Sequence, residues 1–195
     1  MKRIGIVGEN FDNDSKPIRN LLNIVFEGKG IFIPLLKTYE GNQLERVRKV
    51  TDSLNSEIEN KNIDLIILVR DLDGLSSETE KIRRRNQWFS KIEKGAKKKC
   101  IRFLIIYELE ALILADITTF NKIYKTKYQP KGKPKFQKDP KGLLKKLTAR
   151  PKKTYHESHA ADIFQKISHQ ELLKNHSGKA YSYESFIKEL ENTLN

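Results

Sequence analysis

The run Asp64-Leu-Ile-Ile-Leu-Val-Arg-Asp71-Leu-Asp73-Gly74 constrains this chain more than any other. An apolar stretch of strand length stops at two carboxylates and a glycine. Short apolar runs bounded by turn residues suit the buried strands of a parallel sheet. Ligands of open α/β sheets gather outside the carboxyl ends of such strands. Two acids one residue apart there can face the same side and share a hard cation. The same grammar recurs twice: Ile4–Val7 runs into Gly8-Glu9-Asn10, and Ile101–Ile106 runs into Tyr107-Glu108-Leu109-Glu110. Three acidic strand ends imply one metal-binding rim made of Glu9, Asp71, Asp73, Glu108 and Glu110.

Helical patterns fill the spaces between the strands. Residues 3–7 read as the first strand. Ser15 and Pro17 then open a helix with Ile18, Leu21, Leu22, Val25 and Phe26 on one stripe, ended by Gly28. Residues 31–36 form a second strand, where Pro34 argues for an edge or irregular position. A polar helix over 42–60, a strand over 65–69, a helix over 77–94, a strand over 101–106 and an apolar helix over 109–120 follow. This βαβαβαβα order predicts an α/β fold: a parallel four-stranded sheet flanked by helices, with right-handed crossovers. The first 122 residues read as one domain. Residues 123–195 read as a basic, mostly helical region packed on it.

The second region is rich in lysine over 122–153, with Pro, Gly and the aromatics Tyr124, Tyr128, Phe136 and Tyr155 between the charges. It reads as a loop with a short helix near 140–148, followed by helices over 157–174 and 182–194. Charge plus aromatics suits single-stranded nucleic acid through phosphate attraction and stacking. The whole chain carries 38 Lys+Arg against 25 Asp+Glu, a net charge of +13, which favours polyanionic partners. Arg83, Arg84 and Arg85, with Lys133, Lys135 and Lys138, are the candidate nucleic-acid contacts. Trp88, beside the arginines, reads as packing more than as a stacking platform. The single cysteine, Cys100, forms no intrachain disulfide, and no signal-peptide pattern precedes the first strand, so a cytoplasmic protein is expected. No apolar run approaches the ~18 residues of a membrane span.

Oxygen-only ligands select Mg²⁺, Mn²⁺ or Ca²⁺ over zinc. Mg²⁺ keeps waters and takes further ligands from substrate phosphate, so phosphoryl transfer or phosphodiester hydrolysis is the natural chemistry. Acids at strand ends also cap the next helix and favour its dipole, which is the structural alternative. Gly5-x-x-Gly8 lacks a following Gly-Lys-Ser/Thr, so no P-loop is present. His156 and His159 are three apart and can share a helix face, without a cysteine or a defined acid to complete a zinc site.

Gly8-Glu9, Asp71-Leu-Asp73 and Glu108-Leu-Glu110-Ala-Leu-Ile-Leu-Ala-Asp116 together resemble the Toprim domain, and most of all the small Toprim-like proteins of the DUF4276 type, relatives of the nuclease half of the OLD family. The resemblance covers residues 4–116. It implies a Mg²⁺- or Mn²⁺-dependent nuclease, or a nucleic-acid-binding relative. Glu9 would match the Toprim glutamate that binds metal or acts as general base. Asp71 and Asp73 would match the metal-binding pair, and Glu110, with Glu108, the third acidic motif. Asp12 or Asp14 would supply a further acid. Asn10 stands where the family has glycine, and Leu112 where tryptophan is common. The resemblance also implies an anti-phage effector working beside a separate ATPase. Asp71-Leu-Asp73-Gly74 is similar, too, to the nucleophile loop of haloacid-dehalogenase phosphatases, with Asp71 as nucleophile and Asp73 as general acid. That loop follows the first strand of its domain, however, and here it follows the third. A non-catalytic module that binds nucleic acid or an ATPase is the remaining alternative.

Overall fold

In a computed structural model, residues 1–134, 137–149, 153–178 and 180–194 are described. Four strands, β1 (Lys2–Val7), β2 (Gly30–Pro34), β3 (Leu65–Asp71) and β4 (Cys100–Ile105), form one sheet in the order β2-β1-β3-β4. Every pairing is parallel, with Ile6 opposite Ile67 and Val69 opposite Phe103. The expected α/β fold, a parallel four-stranded sheet flanked by helices, is therefore present. Pro34 ends the edge strand, where a missing N–H costs the sheet least. The parallel pairing of β1, β3 and β4 brings their carboxyl ends to one edge.

Both faces of the sheet are covered, as parallel sheets require. Strand residues alternate between two cores. Ile4, Ile6, Ile67, Val69, Phe103 and Ile105 face α1 (Lys16–Val25) and the C-terminal helices. Ile66, Leu68 and Leu104 face α2 (Val47–Asn60) and α3 (Thr79–Gly95) through Leu54, Ile58, Trp88, Phe89 and Ile92. Each such buried side chain contributes roughly 1.5–3 kcal/mol.

The remaining helices among the described residues are α4 (Glu110–Ala115), α5 (Ile117–Tyr124), α6 (Pro140–Leu147), α7 (Ala160–Phe164), α8 (His169–Asn175) and α9 (Tyr183–Leu194). They share the first core with the sheet. Phe186 of α9 stacks on Phe103 of β4 at 4.1 Å between ring centres. Buried Asn20 of α1 donates to the Ala161 carbonyl at 2.9 Å and ties α1 to α7.

Three expected helices differ in extent. The apolar run 109–120 breaks at Asp116, whose carboxylate accepts from Thr119 N–H at 3.2 Å and from Ser168 N–H at 2.8 Å. Asp116 thus caps α5 and fixes the start of α8, a buried structural role. The run 157–174 divides into a 3₁₀ turn (Glu157–His159), α7 and α8, because Ser168 caps α8. The run 42–60 starts as a 3₁₀ turn over Gly41–Glu45 before α2 begins. Burial, then the nearby Glu93 carboxylate, pushes the Cys100 thiol up to about 12, which disfavours the reactive thiolate. Among the described residues, no helix is long and apolar enough to cross a membrane.

Candidate metal centre at the sheet edge

Alternation along β3 sends its last two side chains to opposite faces. Asp71 lies with Val69 and Ile67 on the α1 and α4 side, where its carboxylate accepts from Leu109 N–H at 3.3 Å. Arg70 lies on the α3 side, with its guanidinium 4.7 Å from the Trp88 ring centre. The strand end therefore presents an acid to one core and a cation to the other.

Asp14 completes the acidic side. Between Glu9 and α1 the chain makes one π-helical turn, Phe11–Ser15. Asn10 keeps an extended backbone, and its side chain accepts from Asp12 and Asn13 N–H at 2.9 and 3.0 Å. Asn10 therefore sits in this turn without backbone strain. The Asp14 carboxylate in turn accepts from Asn10 N–H at 2.7 Å. A Cβ on Gly8 would meet the Ser15 hydroxyl at 2.7 Å and Asp14 Cβ at 2.8 Å. Glycine is thus what lets the turn carrying Asp14 close onto the end of β1. Of the two acids left open by the sequence, Asp14 reaches the site; Asp12 is exposed and pairs with Lys16 at 3.7 Å.

Glu110, the first residue of α4, is only 5% exposed. The buried Tyr155 hydroxyl donates to its carboxylate at 2.9 Å. Burial, working against the attraction of Lys141 and joined by the repulsion of Glu108, raises Glu110 to about 7. Burial, opposed by the Asn10 N–H and reinforced by Glu9, raises Asp14 to about 6. Asp71 is raised well above the carboxylate range by burial and then by Asp14, Glu110 and Asp73. Each of these three acids resists ionisation partly because another acid lies close.

The other expected carboxylates carry internal partners. Glu9 lies 3.4 Å from the Arg70 guanidinium. Glu108 meets Lys141 Nζ at 3.1 Å and also accepts its backbone N–H at 3.1 Å. Lys141 also lies 3.5 Å from Glu157. Burial works against the Lys141 charge, but Glu110 and Glu108 outweigh it and raise the lysine. Asp73 turns away from Asp71 to Arg85, at 2.7 Å. The expectation that Asp71 and Asp73 face the same side therefore fails in this conformation. The reason is local: Asp73 takes a left-handed backbone (φ 56°), which rotates its side chain out of strand alternation. Tyr107 is also left-handed (φ 61°), and the two are locked by Asp73 N–H to Tyr107 O and Tyr107 N–H to Gly74 O, at 2.9 and 3.0 Å. Strained backbone of this kind concentrates at functional edges.

Among the described residues, no group of three or more His, Cys, Asp or Glu is drawn together at metal-ligand spacing. Asp14, Asp71 and Glu110 nevertheless offer the oxygen donors that a hard divalent cation takes. Asp14 and Glu110 both repel the Asp71 carboxylate, a cost that a bound cation relieves.

Of the candidate nucleic-acid contacts, Arg83 and Arg84 are exposed and Arg85 is half-buried. Arg83 and Arg84 pair with Glu80 of their own helix at 2.7 and 3.1 Å. Lys133 and Lys138 are exposed, and Lys135 lies outside the described residues. Trp88 is buried, with its indole N–H donating to Leu44 O at 2.8 Å, so it packs as expected. Tyr124 and Tyr155, expected among the stacking aromatics, are instead core residues. Tyr155 serves Glu110, and Tyr124 shares a 2.8 Å hydrogen bond with His159 Nδ1. Tyr128 packs half-buried against the core, and Phe136 lies outside the described residues. Sequence reasoning missed Lys141, Tyr155 and Arg70 as site residues. The helix-start signal Asp139-Pro140 was the only local hint of where Lys141 sits.

A family model described as a domain of unknown function (DUF4276) matches residues 14–180. No curated protein matches the chain.

Proposed function

We propose that this chain, which belongs to the DUF4276 family, is a Mg²⁺- or Mn²⁺-dependent nuclease that hydrolyses phosphodiester bonds of DNA or RNA. The observation that carries this reading is that Asp14 and Glu110 both lie near enough to Asp71, at the edge where β1, β3 and β4 end, to raise its carboxyl. The resemblance to Toprim domains and to the nuclease half of the OLD family points the same way.

Asp71, Asp14 and Glu110 would hold the ion, with Glu9 and Glu108 at the margin of the same cluster. A divalent ion bound there supplies Lewis-acid polarisation of a phosphate oxygen and a water of lowered pKa. The Tyr155 hydroxyl fixes the orientation of Glu110. Lys141 holds Glu108 in place and balances the charge of the carboxylates before an ion binds. Glu9 is the residue to accept a proton from the attacking water. Arg83, Arg84, Arg85, Lys133, Lys135 and Lys138, with the surplus positive charge, hold the backbone. An anti-phage effector role and an ATPase partner follow from the resemblance alone.

A second reading has its own observation. Glu9 and Asp73 are each satisfied by an arginine. That arrangement favours a Toprim-like module that binds nucleic acid, or an ATPase, without cutting. The test is incubation of the full chain with plasmid, single-stranded DNA and total tRNA in Mg²⁺ or Mn²⁺, with EDTA and Asp71→Asn controls. A p-nitrophenyl phosphate arm tests for phosphatase chemistry. Cleavage that needs both metal and Asp71 supports the nuclease. Salt-sensitive binding without cleavage in either metal supports the binding module.

A further inference from the structure

A second feature of the edge lies on the opposite face of the sheet from Asp14 and Glu110. A cleft of about 310 Å³ is lined by Lys81, Arg84, Arg85 and Trp88 together with Asp73 and Glu45. We infer that this cleft is a phosphate subsite, and that a phosphodiester bound there takes Arg85 from Asp73 and frees Asp73 to join the cation site. This inference rests on the nuclease reading for its substrate class.

The cleft is electrically balanced as it stands, because carboxylates occupy its cations. Arg85 meets Asp73 at 2.7 Å and Glu45 at 3.5 Å, Lys81 meets Glu78 at 2.9 Å, and Arg84 meets Glu80 at 3.1 Å. Those four carboxylates are 39–63% exposed, whereas Arg85 is only 18% exposed. Asp73, the most exposed of the four, can swing into water at little cost, while Glu45 stays on the buried Arg70. Exposed ion pairs of this kind are weak. A phosphodiester accepting two parallel N–H bonds from arginine makes a stronger contact. Glu45 also holds the Arg70 guanidinium at 2.9 Å. Arg70 is buried, and its Nη1 makes no hydrogen bond among the described residues. Positive charge therefore underlies the cleft as well as lining it.

The exchange asks the left-handed backbone of Asp73 (φ 56°) to relax, and two contacts hold it now. Its N–H is held by Tyr107 O at 2.9 Å, and its carbonyl by Lys81 Nζ at 2.7 Å. With that relaxation the side chain turns from Arg85 toward Asp71, two residues before it. Anion binding on one face and cation binding on the other thus compete through a single carboxylate, and linkage makes the coupling reciprocal.

The experiment measures Mn²⁺ binding to the full chain by electron paramagnetic resonance, with and without a phosphorothioate-linked decathymidylate. For the wild-type chain, saturating oligonucleotide should tighten Mn²⁺ binding about five- to tenfold. Arg85→Gln should bind Mn²⁺ about as tightly without oligonucleotide as wild type does with it, and should gain nothing further. Asp73→Asn should still bind oligonucleotide but show no effect of it on Mn²⁺; its thermal melting curve verifies folding. Mn²⁺ affinity that ignores the oligonucleotide in wild type, or is unchanged in Arg85→Gln, overturns the subsite. Coupling in a chain that cuts no nucleic acid would sink the nuclease reading alone. Cutting without coupling would sink the subsite alone.

Discussion

Replacing Glu110 by glutamine should make the metal-free protein more stable at pH 8, although Glu110 is buried and hydrogen-bonded. Folding raises its pKa from 4.5 to about 7, with burial as the largest cause. The folded state therefore keeps a proton that the unfolded chain releases between those two values. There the native state binds more protons, so stability falls as pH rises. The penalty is absent below 4.5 and complete above about 7. At ~1.4 kcal/mol per unit, ionising Glu110 in place costs about 3 kcal/mol. Lys141, Asp71 and Asp14 share the same field, so the gain on removing one charge is about 1–3 kcal/mol. Glutamine keeps the shape and still accepts from Tyr155. For a chain of this length, a 2 kcal/mol gain raises the melting temperature by roughly 4–8 °C. The assay is thermal unfolding of both proteins in EDTA from pH 4 to 9. The curves should meet near pH 4.5 and separate above pH 7, with glutamine the more stable. Saturating Mn²⁺ at pH 8 should then stabilise wild type more than the variant. A variant that is less stable than wild type by the same amount at every pH would refute the reasoning, since lost packing does not titrate.

Gly8→Ala should cost about 2 kcal/mol in urea unfolding, because the new Cβ would stand 2.7–2.8 Å from Ser15 and Asp14. The same variant should weaken Mn²⁺ binding, because it displaces the turn that carries Asp14. Phe186→Ala, which removes the ring stacked on Phe103, should cost about 3–5 kcal/mol by the same assay. Lys133→Ala and Lys138→Ala should each leave cleavage chemistry intact and reduce the slope of log affinity against log salt by about one, read by fluorescence anisotropy on single-stranded DNA.

The strands were legible because each is an apolar run of strand length closed by a turn residue, and Pro34 correctly marked the edge. The break of the 109–120 helix was not, since its apolar stripe continues through Asp116. The signal was there in Asp116 followed by Thr118 and Thr119, but a cap inside a periodic run competes poorly with periodicity. In the site, Asp71 and Glu110 were legible as acids just past strand ends. Asp14 stayed open against Asp12 because a π-helical turn shifts the register by one residue, and sequence spacing does not reveal that turn. The orientation of Asp73 is not legible in the sequence because strand alternation does not extend through a left-handed residue. Tyr155 reads as a stacking aromatic in the sequence because its partner, Glu110, lies 45 residues away. Lys141 likewise meets Glu108 across 33 residues. Only the packing of the C-terminal helices on the sheet creates those contacts.

The claim that a carboxylate cluster at this edge holds a divalent cation is tested most directly by titrating Mn²⁺ into wild type, Asp14→Asn and Asp12→Asn by isothermal calorimetry. The account predicts that Asp14→Asn weakens binding at least tenfold and that Asp12→Asn, two residues away and exposed, leaves it unchanged. Equal affinities for all three proteins, or no Mn²⁺ binding by wild type, would contradict it.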